Sequence, residues 1–213
     1  MTPEETERHK TQYIALCRQY IRRDEEGLDK LLDYLDKSDF YTAPSSASFH
    51  LNEAGGLCRH SINVFETALH LHRTWLEPKR QEGLTAFEKE ISEESIAIAA
   101  LFHDLCKVHF YKPTERFRKD DNGRWVTYPG YVVEDKFPFG HGEKSCLIVG
   151  WFLRLQQHEL LAIRWHMGMF EMAPQGSGMS YSYRSAMDAH PLVALLQVSD
   201  MLAANCLEKT TVY

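Results

Sequence analysis

No Cys-x-x-Cys pair occurs in this 213-residue chain, and its five cysteines, Cys17, Cys58, Cys106, Cys146 and Cys206, are scattered and odd in number. Such usage argues against a disulfide frame and predicts reduced, packed thiols in a cytoplasmic protein. No apolar run approaches the ~20 residues a membrane-spanning helix needs, so no membrane partner is expected. The first ten residues, MTPEETERHK, are polar and acidic and do not read as a signal or transit peptide. Positive charge is scarce as well: 24 Lys and Arg stand against 30 Asp and Glu, a net charge of -6. That balance disfavours long nucleic acid as a partner but allows a small anion held by metals and a few local cations. Internal repeats and low-complexity tracts are absent. With 44% hydrophobic and 25% charged residues the composition is globular, and the length suits one domain spanning 1–213.

The most informative stretch is Ile96 to Lys107, where apolar and small residues run into His103, Asp104 and, three positions on, Lys107. A segment apolar on nearly every side reads as a helix packed on all faces, here running through Lys107. Ser92, Glu93 and Glu94 supply its N-cap and an acidic first turn. Buried imidazole and carboxylate groups are costly unless something pairs with them, and a metal ion would satisfy both at once.

The rest of the chain reads as helices around that segment. Residues 3–22 and the Leu28, Leu31, Leu32, Leu35 stripe predict two cladding helices within 1–40. A small-residue loop, Tyr41 to His50, precedes a helix from Leu57 to about Trp75. Its inward stripe is Leu57, Ser61, Val64, Phe65, Ala68 and Leu71, with His60 on the core side and His70 and His72 toward the outer edge. Residues 77–90 read as a surface connection, with Thr85 and Glu88 as a capping box for a short helix. Residues 109–140 read as a small β insertion. Asp121-Asn122-Gly123 forms its turn, 117–119 and 125–128 form its arms, and 131–133 a further short strand. Helices are then expected from His141 to Leu153, from Gln157 to His166 and from Pro191 to Ala204, with 167–185 as a loop or lid.

Metal-capable side chains thus recur on core-facing surfaces: His60, the His103-Asp104 pair and Asp200, joined by His141 at a helix start and His166 on an inward face. Two imidazoles and two carboxylates suit Fe, Mn, Mg, Co or Zn, and the extra two imidazoles would let Asp104 bridge to a second ion. Each residue alone has a plainer reading. His60 could be a core histidine bonded to a carbonyl, and Asp200 could pair with Arg164 or Lys107. Taken together, so many buried polar groups would each need a separate partner.

In the order His60, His103-Asp104, His141, His166, Asp200, the chain resembles the HD-domain metal-dependent phosphohydrolase superfamily, over about residues 40–207. GGLCRHS and HDLCK are most similar to the HD domains of bacterial 3′→5′ exoribonucleases. No RNA-binding domain accompanies them here, so a polymeric RNA is not expected. The resemblance implies an all-α HD-domain bundle carrying the hairpin insertion, with one or two divalent metal ions. His60, His103, Asp104 and Asp200 would hold the first ion; Asp104, His141 and His166 would hold the second. It implies phosphoester hydrolysis by metal-activated water, on a nucleotide or similar small phosphorylated substrate, with Asp104 and Lys107 as catalytic residues. His50, Lys107, Lys144 and Arg164 are the candidate substrate-binding residues. Two other readings are a di-iron oxygenase on the same ligands and a non-catalytic module held together by metal.

Overall fold

The computed structural model describes residues 1–171 and 178–211. Its architecture is helical with one two-stranded hairpin, as expected. Among the described residues no helix is long and apolar enough to cross a membrane.

Helix α5 (Glu93–Phe102) is the axis. Ser92 caps it by accepting from Ser95 N, and every residue from Ser95 to Phe102 is buried. Full burial of side chains such as Ile96, Ile98, Leu101 and Phe102 contributes about 1.5–3 kcal/mol each. Around it lie α1 (Pro3–Tyr20), α3 (Gly56–Leu71), α7 (Gln157–Trp165) and α9 (Pro191–Leu202), all in contact with it. A Thr2–Glu5 capping box starts α1, and the Tyr13 hydroxyl donates to the Leu101 carbonyl at 2.9 Å. That bond satisfies a carbonyl in the last turn of α5, where intrahelical partners run out. Helix α2 (Glu25–Lys37) is capped by Asp24 and buries Leu28, Leu31, Leu32 and Leu35.

Several boundaries differ from expectation. The central helix does not reach Lys107: it stops at Phe102, Asp104 leaves helical geometry at φ -106° and ψ 18°, and a 3-10 turn (Leu105–Lys107) follows. Helix α3 passes into a π-helical turn (His72–Leu76) and the short α4 (Glu77–Gln81). His72 is buried rather than peripheral, because it lies four residues after Ala68 and so continues the inward stripe. No helix follows Thr85, whose hydroxyl donates to the Phe87 carbonyl instead of capping.

The insertion is one long hairpin, β1 (Tyr111–Lys119) against β2 (Trp125–Val133), with 131–133 paired to 111–113 as part of β2. In a two-stranded sheet both strands are edges, so Pro113 and Pro129 are tolerated. Helix α6 (His141–Gly150) ends before Leu153. Within the segment expected as a loop, 168–171 form a 3-10 turn and Gly178–Ala189 form α8, which buries Tyr183 and Ala186 at helical spacing; the remaining positions, 172–177, lie outside the described residues.

Two glycines allow close backbone approach near the histidines. A Cβ on Gly56 would lie 2.1 Å from the Leu51 carbonyl oxygen, and one on Gly142 would lie 2.3 Å from the Arg164 carbonyl oxygen. The second contact seats the first turn of α6, beginning at His141, against the end of α7. Gly142→Ala should therefore lower stability by about 1–3 kcal/mol. Gly150→Ala, where a Cβ meets nothing within 4 Å, should be neutral or stabilising by up to about 1 kcal/mol. Chemical denaturation of both variants checks the pair.

Candidate metal centre

Two of the candidate ligands arise from one local device. His103 caps the end of α5 and His166 the end of α7. Each ring has its Nδ1 on the carbonyl three residues earlier, Ala100 at 2.8 Å and Ile163 at 2.7 Å. A carbonyl only accepts, so Nδ1 carries the proton in both rings and Nε2 is left with a lone pair facing the centre. His60 projects from α3, Asp200 from α9, and His141 begins α6.

Asp104 stands between them, and its two oxygens face different groups. Oδ1 is 2.8 Å from His141 Nε2 and 3.5 Å from His166 Nε2. Oδ2 is 3.5 Å from His103 Nε2, 3.6 Å from His60 Nε2 and 2.6 Å from Lys107 Nζ. His60 Nε2 also lies 3.1 Å from Asp200 Oδ1 and 3.3 Å from His103 Nε2. All six expected metal ligands therefore converge, and Asp200, which could have paired with Arg164 or Lys107, faces His60. The sets His60, His103, Asp104 and Asp104, His141, His166 each place ligand atoms within 4.8 Å of one another, as does His103, His166, Asp200.

The electrostatics suit a cation. Burial disfavours ionised Asp104, yet the Lys107 ammonium, with the hydrogen bond to His141, outweighs it and holds the carboxyl well below its usual range. Asp200 is likewise held down against burial, by its hydrogen bond to His60. Burial opposes charge on His60 too, but the Glu208 and Asp200 carboxylates overcome it and raise its pKa to about 10. Burial pushes His103 down to about 3. Among the described residues His166 Nε2, which is buried, makes no hydrogen bond. An orphaned lone pair beside ionised carboxylates is what a divalent ion would satisfy, and these residues fit one.

The candidate substrate residues divide. His50 and Lys107 line a cavity of about 360 Å³ that opens onto His60, Asp104, His166 and Asp200. Lys144 and Arg164 do not line it. Lys144 is buried against Asp135 at 2.7 Å and lies over the Phe110 and Phe137 rings. Arg164 pairs with Glu143 at 2.6 Å beside a separate groove. Each charged group is thus paired with a neighbouring acid outside the cavity.

Sequence reading missed Glu208 and Asn63. Glu208 accepts from Nδ1 of His60 at 3.0 Å, from Nδ1 of His50 at 2.5 Å and from Asn63 Nδ2 at 2.8 Å. Nothing local marks it, for it sits in a polar tail after a π-helical turn (Ala203–Leu207) that ends α9.

Comparison with known proteins agrees with this geometry. Searches of curated proteins and of solved structures each found no match. The family model described as "HD domain" matches residues 57–205, a span that includes His60, the His103-Asp104 pair, His141, His166 and Asp200. The chain therefore belongs to the HD-domain family, a superfamily of metal-dependent phosphohydrolase type.

Proposed function

We propose that this chain hydrolyses a phosphoester in a small substrate bearing a single phosphoryl group, of the nucleoside monophosphate kind, with two divalent ions. The observation that carries the reading is the divided Asp104 carboxylate, one oxygen toward His141 and His166 and the other toward His60 and His103. His60, His103, Asp104 and Asp200 would hold one ion; Asp104, His141 and His166 would hold the other. When bound, such ions supply Lewis acidity and a water of lowered pKa. Lys107 braces Asp104 through Oδ2 and, from the cavity wall, offers a cation to a phosphoryl oxygen. His50 gives its Nδ1–H to Glu208, which leaves the Nε2 lone pair for the substrate as an accepting contact. No serine, cysteine or lysine nucleophile is required.

The substrate class follows from charge and shape. Lys107 is the only Lys or Arg lining the cavity, and it is already paired with Asp104. Positions 172–177 and 212–213 contribute none. Beyond the phosphoryl group at the two ions, a polyphosphate would thus find no further protein cation for its added charge. Phe49 and Phe170, 74% and 83% exposed, join Met167 and Met201 in an apolar wall. Such a wall suits the face of a base or another planar group.

Two outcomes test this. Asp104→Ala should lose bound metal and all turnover, while Lys107→Ala should keep metal and lose about 100-fold in kcat/KM. Elemental analysis with an assay of released phosphate in added Mn²⁺ reads both, and full activity in Asp104→Ala would refute the site. Across a nucleotide panel, monophosphates should be turned over with higher kcat/KM than the matching triphosphates; the reverse order would refute the substrate class.

A further inference from the structure

The HD-domain match ends at residue 205, yet the chain continues across the centre. After the π-helical turn, Glu208 N donates to the Ala203 carbonyl at 3.1 Å, and the tail crosses to the loop behind His50. Leu51 N donates to the Lys209 carbonyl at 2.9 Å. Asn52 and Thr211 exchange two bonds, at 3.2 and 2.7 Å. Leu51 itself takes a left-handed φ of 44°, which a non-glycine residue adopts only when its surroundings hold it there. The tail is thereby strapped to the segment that carries His50, and Thr210 becomes part of the cavity wall.

This strap delivers the Glu208 carboxylate, whose side chain is 1% exposed, into the space between α3 and the His50 loop. Among the described residues no Lys or Arg pairs with it. Its partners are the Nδ1 atoms of His60 and His50 and the amide of Asn63. A buried carboxylate is costly, and one kept on two imidazoles is informative. The ring centroids of His50 and His60 are 4.8 Å apart. An imidazole that donates Nδ1–H to a carboxylate must present Nε2 on its opposite edge. For His60 that edge meets Asp200 and Asp104; His50 lines the cavity.

We propose that Glu208 is a positioning residue that holds His60 and His50 in the Nδ1–H form, aiming the Nε2 of His60 at the metal centre and that of His50 at the substrate. One carboxylate outside the family's matched span thus couples the metal site to the substrate wall. This rests on the reading of the Asp104 centre as a metal centre. A carboxylate behind a ligating histidine orients the ring and raises its basicity, and its loss typically weakens metal affinity by about 10–100-fold. Glutamine at 208 would keep the shape but supply one acceptor oxygen in place of two, and would turn N–H donors toward an imidazole N–H.

The test is calorimetric titration of the full-length, metal-stripped chain with Mn²⁺ in the absence of substrate. Glu208→Gln should bind about 10–100-fold more weakly than the native chain, with an unchanged circular dichroism spectrum. Native affinity in a folded Glu208→Gln protein would overturn the proposal while leaving the metal centre standing. A native chain that takes up no Mn²⁺ would overturn both. Should Glu208→Gln fail to fold, the native protein loaded with Zn²⁺ decides by long-range ¹H–¹⁵N correlation. A proton on Nδ1 of both His60 and His50 is expected, and a proton on Nε2 of His60 with Nδ1 bare would overturn the proposal.

Discussion

Asp104 is a carboxylate buried in an apolar interior, and the rest of the structure answers to that. Leaving such a charge without partners would cost several kcal/mol. Here one lysine and four imidazole edges surround it, and a second carboxylate, Asp200, sits across His60. Asp104, Asp200 and Glu208 are held ionised against burial, and among the described residues the Nε2 of His166 makes no hydrogen bond; a bound cation would answer both.

Helix ends do much of the placing. A helix interior binds its own carbonyls, whereas the last turn has carbonyls to spare. His103 and His166 each use one of those carbonyls to fix the ring proton on the outer nitrogen, so a backbone necessity doubles as ligand orientation. His141 comes from the opposite kind of end, the first residue of α6, brought in by the close backbone approach at Gly142. His60 comes from inside α3 and Asp200 from the last turn of α9; Asp200 binds His60, and His60 takes Glu208 from the tail.

The same economy shapes the cavity. Its floor is polar and, the Nε2 of His166 apart, largely paired among itself, while its rim carries exposed Phe49 and Phe170. A ligand there gains little from free protein cations and more from apolar contact. Lys144 and Arg164, attractive as phosphate cations from their closeness in sequence to His141 and His166, are drawn off by Asp135 and Glu143. One-dimensional spacing says which residues are near; it does not say which acid reaches them first.

By itself the sequence determined the helical class, the buried axis Ile96–Phe102 and the hairpin, because these rest on local signals; the six residues that gather about Asp104 stood out only through their joint pattern and order. Periodicity marks a buried face, and a charged pair inside an apolar run demands compensation. Where patterns were short or polar it misled: His72 read as peripheral, Thr85 as a cap and 178–185 as loop. Only the tertiary structure decided which oxygen of Asp104 faces which histidines, which cations are spent elsewhere, and that Glu208 lies behind His60. Those facts depend on groups that meet across the fold, 37 residues apart for Asp104 and His141 and 148 for His60 and Glu208, and hydrogen bonds at such separation leave no periodic trace along the chain.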